Sequence, residues 1–418
     1  MRVLMLPKPE PADAVTSGIG RYVGILEKHF GDDVEVFHLP GAPHEEDRRL
    51  FRPVEPIRSP MGGRSGGIRK LIPQSLRLLA GYVHDIINLA GALRPLRNKV
   101  DLIHVNRVGC EIQTIAAKLA GFRRIVATIH NLPGEDATAQ HGLRRWIERL
   151  SFSCADQLIS VSEATYEAWG QRIGLNRNKV TVIHNGIDVT GQGLPTKQDA
   201  RCQLGVPENA LVFGICARLH PMKGHSVLLA AFAHLLKEFE QKPVKPAKEG
   251  QKALVSSSSR SDVCGLMSDV SSCLLLIAGD GPEQANIEAK IKELGIADHV
   301  RMLGRIQNVM GFMRALDVHV LPSVTLESMP FSVVEAMFAG VPSIVSDVGG
   351  AKEVVQASNG GEVVPKGDVD PLAKGMLDWA CDSLRRDAAG VRCVTYAREN
   401  LTGAGMTEVT LNVYRKVL

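Results

Sequence analysis

Two glutamates, Glu327 and Glu335, stand eight positions apart in ESMPFSVVEAMFAG, a segment whose other side chains are mostly small or apolar. Proline at a helix start and glycine just past its end predict a helix from about Pro330 to Gly340. Glu335 then lies inside the helix and Glu327 in the loop before it. The amides and dipole of a helix N-terminus attract anions, and carboxylates accept hydrogen bonds from hydroxyls. A ligand carrying phosphate and hydroxyl groups suits this combination. The alternative is a solvated glutamate on an amphipathic helix.

Two cations occupy the segment GICARLHPMKGHSVLL, residues 214 to 229. Arg218 and Lys223 fall in a loop between a predicted strand and a predicted helix. Arginine offers a bidentate fork and lysine a mobile point charge, so the pair could clamp a diphosphate. Two solvated surface cations would give the same pattern.

A glycine pair, Gly18 and Gly20, precedes a predicted helix in TSGIGRYVGIL. Glycines there let backbone amides approach a phosphate with no side chain in the way. A dinucleotide-binding glycine fingerprint is the competing explanation. It fits badly, because the third glycine is misplaced and the strand VEVFHL lacks a final acidic residue. A simple turn also remains open.

His130 follows the predicted strand RIVATI. A neutral imidazole at a strand end could accept a hydrogen bond from a substrate hydroxyl or help to orient it. His104 in DLIHVN holds a similar position, so a structural role for either histidine remains open.

Two further segments bear on ligands. Arg305 and Ile306 follow HVRMLG and could touch a base, and AGDGP predicts a tight turn near the nucleotide. Asp368 and Asp370 match a pattern in which paired carboxylates hold a divalent cation. Because proline follows directly, a helix N-cap at Asp370 explains the pair better, and no metal is predicted.

The composition indicates an ordinary intracellular protein of two or three domains, with 418 residues, 44% hydrophobic and 22% charged. A net charge of +4 permits anionic substrates without indicating nucleic acid, and 5% aromatic residues argue against base-stacking platforms. The eight cysteines show no zinc spacing and are predicted to be reduced thiols. The sequence has neither a signal peptide nor a membrane-spanning run, so we expect a cytoplasmic location.

Short apolar runs alternate with longer amphipathic ones, which is typical of parallel sheets covered by helices. Eleven strands are predicted, six before and five after a linker around residues 188 to 200, so we expect two doubly wound domains. Ligands of such sheets bind beyond the carboxyl ends of the strands, which places the site in a cleft between the domains.

Two segments stand outside this alternation. Residues 240 to 272 are too polar to pack and are predicted to be a disordered surface insertion. Residues 62 to 99 combine basic ends with an apolar stripe. They could form an amphipathic helix on an anionic membrane surface, or a helix that covers a sheet, which is the favoured interpretation.

In chain order, several motifs resemble those of the family 4 retaining glycosyltransferases of the GT-B fold. The motifs are Gly18-Ile-Gly20, TIHN (128 to 131), VIHNGID (182 to 188), ARLHPMKG (217 to 224), AGDGP (278 to 282), LGRI (303 to 306) and ESMPFSVVEAMFAGVPSIVSDVGGAKEVV (327 to 355). The resemblance covers nearly the whole chain outside 240 to 272. It implies two Rossmann-like domains facing across a cleft: an acceptor-side domain (1 to 190), a donor domain (191 to 395) and a C-terminal helix (396 to 418) that packs back on the first.

The resemblance also implies an activity. A hexose or N-acetylhexosamine would pass, with retention and without a metal cofactor, from a nucleotide diphosphate sugar to a hydroxyl of a saccharide, lipid or small molecule. A catalytically silent nucleotide-sugar-binding subunit and a GT-B sugar-nucleotide epimerase remain alternatives. His184 replaces the proline usual in VIHNGID, which leaves the nucleotide and the acceptor open.

The resemblance further implies a role for each residue that stands at a matching position. Arg218 and Lys223 would bind the donor diphosphate. Glu335 would hold the ribose and Glu327 the transferred sugar, while His130 would lie at the sugar and acceptor. Backbone amides would assist at the diphosphate, namely those of Gly20, Phe331 and Ser332.

Overall fold

A computed structural model describes residues 1–6, 18–38, 74–107, 112–133, 141–189, 194–241, 273–325 and 327–418. The chain divides into two compact units: unit 1 comprises residues 1–186 with 403–418, and unit 2 comprises residues 187–402. The predicted insertion lies outside the described residues except for its first two positions, and residues 62–73 of the predicted amphipathic segment also lie outside. No helix in the described ranges is long and apolar enough to cross a membrane.

Unit 1 is built on a parallel sheet of six strands in the order β2-β1-β3-β4-β5-β6. Its strands are β1 (Arg2–Leu6), β2 (Glu35–Phe37), β3 (Leu102–Arg107), β4 (Ile125–Ile129), β5 (Gln157–Ser160) and β6 (Val180–Val182). Its helices are α1 (Gly18–His29), α2 (Gln74–Leu93), α3 (Gln113–Ala120), α4 (His141–Cys154), α5 (Glu163–Ile173) and, from the far end of the chain, α14 (Gly403–Val417).

The core of unit 1 follows from the burial of both sheet faces, which makes parallel strands apolar throughout. All five residues of β4 are buried. Helix α14 completes this core with Tyr414, whose ring is fully buried and whose hydroxyl lies 2.5 Å from His104 Nδ1. The two residues are 310 positions apart. Unit 1 is therefore discontinuous in sequence.

Unit 2 carries a second parallel sheet of six strands, in the order β12-β11-β10-β7-β8-β9. Its strands are β7 (Leu211–Cys216), β8 (Cys273–Ala278), β9 (Val300–Gly304), β10 (Val318–Leu321), β11 (Ser343–Ser346) and β12 (Gly361–Val364). Its helices are α6 (Lys197–Gln203), α7 (His225–Gln241), α8 (Gln284–Glu293), α9 (Val309–Ala315), α10 (Phe331–Phe338), α11 (Ala351–Ser358), α12 (Val369–Ala380) and α13 (Ser383–Asn400). This is the doubly wound dinucleotide-fold order, and its direction reverses between β7 and β10.

The predicted fold class, α/β with two Rossmann-like domains, is confirmed by the two sheets. Each of the eleven predicted strands is present, six in unit 1 and five in unit 2. Strand β12 was not predicted; it is a four-residue edge strand with three half-buried positions. A half-buried edge strand lacks the continuous apolar run that identified the others.

Candidate active site

Two loops meet at the point where the sheet order of unit 2 reverses. One follows β7 and carries Arg218 and Lys223; the other follows β10 and carries Glu327. Val324 N donates to Met222 O at 2.9 Å. Gly224, at φ +71°, lies so close to the second loop that a Cβ there would overlap the carbonyl oxygen of Pro322. Ligands of open α/β sheets bind at such reversal points.

Lys223 and Glu327 form an ion pair between these loops, with Nζ in contact with Oε1. The same Oε1 accepts a hydrogen bond from Ser323 Oγ at 2.9 Å. Glu327 is 6% exposed. The carboxylate is therefore held by two side chains, and the sequence analysis did not identify Ser323 because only its position in the folded loop reveals its role.

Helix α10 places the second glutamate. Pro330 is its N-cap rather than its first residue, and Gly340 lies past its end at φ +72°. Glu335 is 3% exposed, and its neighbours in the helix from Val333 to Ala339 are buried too. The interpretation of Glu335 as a solvated residue on an amphipathic helix is therefore wrong. Phe331 and Ser332 lie half-buried in the first turn, where backbone amides point out of a helix.

The turn at AGDGP supports the loop that carries the cations. Leu219 N donates to Asp280 O at 2.7 Å. Gly279 and Gly281 have φ of +145° and +151°, and a Cβ on either would overlap a carbonyl oxygen of residue 217 or 219. The turn thus packs its backbone directly against the loop. On the same loop, the side chain of Arg218 is exposed.

His225, two residues after Lys223, was missed by the sequence analysis although it stands inside a motif that was singled out. It is 3% exposed, and neither ring nitrogen has a hydrogen-bond partner among the described residues. Burial, and then the charge of Lys223, lowers the pKa of His225 to about 4. Nothing in the local sequence distinguishes such a histidine from a solvated one.

Arg305 and Ile306 follow β9, at the edge of the sheet and two strands from β7. Arg305 is exposed and Ile306 packs against the core of unit 2. Gly279 N donates to Gly304 O at 2.8 Å, which joins the end of β9 to the AGDGP turn. The two residues therefore follow a strand end that is hydrogen-bonded to the turn supporting the cation loop.

The other predicted site residues belong to unit 1. Helix α1 begins at Gly18, so Gly18 and Gly20 form its first turn rather than preceding it as predicted. The two histidines differ in their surroundings. His104 is fully buried between Tyr414 and Thr128, with Nε2 2.7 Å from Thr128 Oγ1, which is a structural role.

His130 follows β4 and is 8% exposed. Its Nε2 lies 3.3 Å from Asn106 Oδ1, and its ring meets the ring of Tyr22 edge to face with 4.7 Å between centroids. Burial lowers the pKa of His130 to about 3, so the imidazole is neutral at physiological pH. Asn106 is another residue that the sequence analysis did not single out.

The aspartate pair caps a helix, but the capping residue differs from the prediction. Asp368, not Asp370, is the N-cap of α12 and accepts from Asp370 N at 3.3 Å. The proline at 371 is the third helical residue, so the helix starts two residues earlier than the sequence suggested. Across the described ranges, no group of three or more His, Cys, Asp or Glu side chains could hold a metal ion.

Comparisons with known families cover both halves of the chain. Residues 16–190 match Glycosyltransferase Family 4, and residues 196–399 match Glycosyl transferases group 1. A phosphatidyl-myo-inositol mannosyltransferase of Mycobacterium leprae (strain TN) is 31% identical over 302 residues, 70% of this chain and 68% of the relative. A UDP-Gal:alpha-D-GlcNAc-diphosphoundecaprenol alpha-1,3-galactosyltransferase of Escherichia coli is 24% identical over 304 residues, 71% of this chain and 70% of the relative.

Among solved structures, Anabaena Alr3699/HepE in complex with UDP aligns over 100% of both chains, with a TM-score of 0.69 and 20% identity. WaaG, a glycosyltransferase involved in lipopolysaccharide biosynthesis, aligns over 99% of both chains with a TM-score of 0.63 and 14% identity. At these identities the likeness shows the fold, which is that of the GT-B glycosyltransferases.

Proposed function

Because this chain belongs to glycosyltransferase family 4 and is a glycosyltransferase, we propose that it transfers a hexose or N-acetylhexosamine from a nucleotide diphosphate sugar to an acceptor hydroxyl, with retention of configuration and without a metal. The observation that carries this proposal is the Lys223–Glu327 pair, held at the reversal point of the unit 2 sheet. One partner suits a phosphate and the other suits sugar hydroxyls.

The charge required by the reaction develops on the departing diphosphate. Arg218 and Lys223 lie on one loop, and the first turn of α10 follows the loop that carries Glu327. Fixed cations and helix N-terminal amides stabilise such charge where it develops. In this proposal they supply the positive charge that a divalent cation supplies in other transferases.

The two glutamates divide the recognition of the donor. Glu335 accepts hydrogen bonds from the ribose hydroxyls, and Glu327 accepts them from the transferred sugar. Both carboxylates are buried, so a hydroxyl bound there meets little competition from water. His130, the glycines at the start of α1, and Arg305 with Ile306 keep the acceptor, phosphate and base roles implied by the family resemblance.

Binding is tested by thermal unfolding of the full chain with nucleoside diphosphates and nucleotide sugars, because a ligand of the folded state raises the apparent stability. UDP and UDP sugars come first, since the E. coli relative is named for UDP-Gal and the Anabaena structure holds UDP. No shift with any nucleotide would count against the donor assignment.

Turnover is tested by incubating each stabilising donor with saccharide, lipid-linked and small-molecule acceptors. Nuclear magnetic resonance of the product gives the anomeric configuration, and inversion would overturn the proposed retention. Loss of activity in EDTA, restored by a divalent cation, would overturn metal independence. Conversion of donor without any acceptor would indicate the epimerase instead, and tight binding without turnover would indicate a silent subunit.

We also propose a peripheral contact between the outer face of α2 and an anionic membrane, on the inner side of the cell. Val83 and Ile87, one helical turn apart, are 46% and 60% exposed. Exposed apolar residues at this spacing suit the bilayer interface. Co-sedimentation with anionic vesicles should be weakened by the double variant V83S/I87S. If the parent stays in the supernatant, the contact is absent.

A further inference from the structure

Three side chains form a hydrogen-bonded row across the sheet of unit 1: Met5 on β1, Asn106 on β3 and His130 after β4. Asn106 Nδ2 donates to Met5 Sδ at 2.9 Å, and Asn106 Oδ1 lies 3.3 Å from His130 Nε2. Met5 and Asn106 are both fully buried. The strands that carry them are neighbours in the sheet, in the order β1-β3-β4.

The chemistry of these groups allows only one direction for the hydrogen bonds. A thioether sulfur has no hydrogen to donate and can only accept. The amide NH2 of Asn106 must therefore face Met5, which leaves its oxygen facing His130. Because that oxygen can only accept, Nε2 of His130 must carry the proton. A neutral imidazole carries one ring proton, so Nδ1 is left with a lone pair.

Nδ1 remains available to a substrate. His130 makes no hydrogen bond through this atom within the described part of the chain, and Nδ1 is not among the buried side-chain atoms that lack a partner. It therefore keeps access to solvent although the residue as a whole is buried.

We propose that Asn106 is a positioning residue that fixes His130 as the Nε2-protonated tautomer and so presents the Nδ1 lone pair to a substrate hydroxyl. The tautomer follows from this structure alone, whereas its use in transfer rests on the proposed function. The ring plane is fixed separately by the edge-to-face contact with Tyr22. Nearby, the side chain of Thr128, two residues before His130, is held by His104 at 2.7 Å.

The tautomer can be measured without any substrate. In the full chain labelled with 15N-histidine, His130 should show a protonated Nε2 and an unprotonated Nδ1, with the resonances assigned by comparison with H130Q. The variant N106L keeps the size of the side chain but removes the acceptor, so its His130 should become a mixture of tautomers. A protonated Nδ1 in the parent would overturn the proposal, and so would a parent-like spectrum in N106L. If N106L does not fold, M5L serves the same purpose. Without the sulfur as acceptor, the Asn106 amide could rotate by 180° and place its NH2 group, instead of its oxygen, against His130.

Kinetics test the use of the tautomer. In N106L only part of the population keeps the correct tautomer, so kcat should fall by the factor by which the spectrum shows that tautomer to be depleted, about twofold for an equal mixture. The donor KM should change by less than about twofold, because the donor phosphates bind elsewhere. N106D, which still accepts from Nε2, should retain the tautomer seen in the parent. In an H130A background, N106L should cause no further loss. Full activity of H130A would refute the role of His130 in transfer, and in that case the spectrum still decides the tautomer.

Discussion

Lys223 and Glu327, 104 residues apart in the chain, contact each other through their charged groups. The contact joins the two residues to which the phosphate and the sugar of the donor are assigned. A donor that takes Lys223 to its phosphate leaves the Glu327 carboxylate open to sugar hydroxyls, with Ser323 still bonded to it. Under the proposed function, each residue keeps the other in place until the donor replaces the ion pair.

Replacing Lys223 by alanine should lower kcat/KM about 100- to 1,000-fold, as loss of one strong electrostatic contact to developing charge does elsewhere. It should also lower the free energy of unfolding by about 1–3 kcal/mol, because the buried Glu327 loses its charged partner. Lys290, which pairs with Glu293 on the exposed side of α8, is the matched control. K290A should leave both quantities near those of the parent. Parent-like turnover in K223A would refute the assignment.

Glu335→Gln should weaken the binding of the nucleoside diphosphate about tenfold or more. A hydrogen bond to a charged group contributes about 1.5–3 kcal/mol, and each 1.4 kcal/mol is a factor of ten in affinity. Calorimetric titration measures the change directly. Glu288 on α8 is bonded to Gln284 at the surface, so E288Q is the control for a lost carboxylate. Equal affinities of E335Q and the parent would exclude the ribose contact.

Gly224→Ala should displace the backbone where the loop after β7 meets the loop after β10, and so move Lys223 relative to Glu327. Its φ is +71°, and the added Cβ would overlap the carbonyl oxygen of Pro322. Gly295 has φ of +69° with open space around it, so G295A isolates the left-handed strain, about 1–2 kcal/mol. Urea unfolding should show a larger loss for G224A, and only G224A should lose turnover. Similar stability and activity in the two variants would mean that the close approach of the loops does not matter.

The stability of unit 2 should fall with acidification because of His319. Burial lowers the pKa of this histidine from 6.5 to about 3. Between these values the unfolded chain binds a proton that the folded chain does not, so the free energy of unfolding decreases as the pH falls below 6.5. The decrease is at most about 1.4 kcal/mol per pH unit for this group. Above pH 6.5 His319 is neutral in both the folded and the unfolded chain, so it no longer makes the free energy of unfolding depend on pH.

Urea unfolding at several pH values between 6 and 4 measures this slope. The variant H319Q should have a shallower slope than the parent, by up to about 1.4 kcal/mol per pH unit. The variant H234Q, at a histidine whose side chain is 50% accessible, controls for the loss of a surface histidine. An unchanged slope in H319Q would contradict the prediction.

The sheets were predictable because a buried parallel strand needs a continuous apolar run, such as IVATI in β4. The edge strand β12 has no such run and was missed. Helix bounds followed from proline and glycine chemistry, although the cap positions shifted by one or two residues. Pro330 and Asp368 both prove to be N-caps.

The candidate site was predictable only as a set of residue types in loops. Local spacing cannot encode contacts such as Lys223–Glu327 or Asn106–His130, because the partners are far apart in sequence and are brought together by different strands of the sheet. Glu335 shows a second limit. Amphipathic periodicity assumes one exposed helix face, whereas α10 is covered on nearly all sides and its carboxylate is buried with it.

The place of Tyr414 in the core of unit 1 has a consequence for synthesis on the ribosome. Residues 187–402 form an uninterrupted stretch, so unit 2 can fold as soon as it has emerged. Most of unit 1 emerges before unit 2, but the helix that covers His104 is translated after the whole of unit 2. The order of folding can therefore be opposite to the order of translation. Until α14 has been translated, the side chain of His104 lacks the tyrosine that covers it in the folded protein.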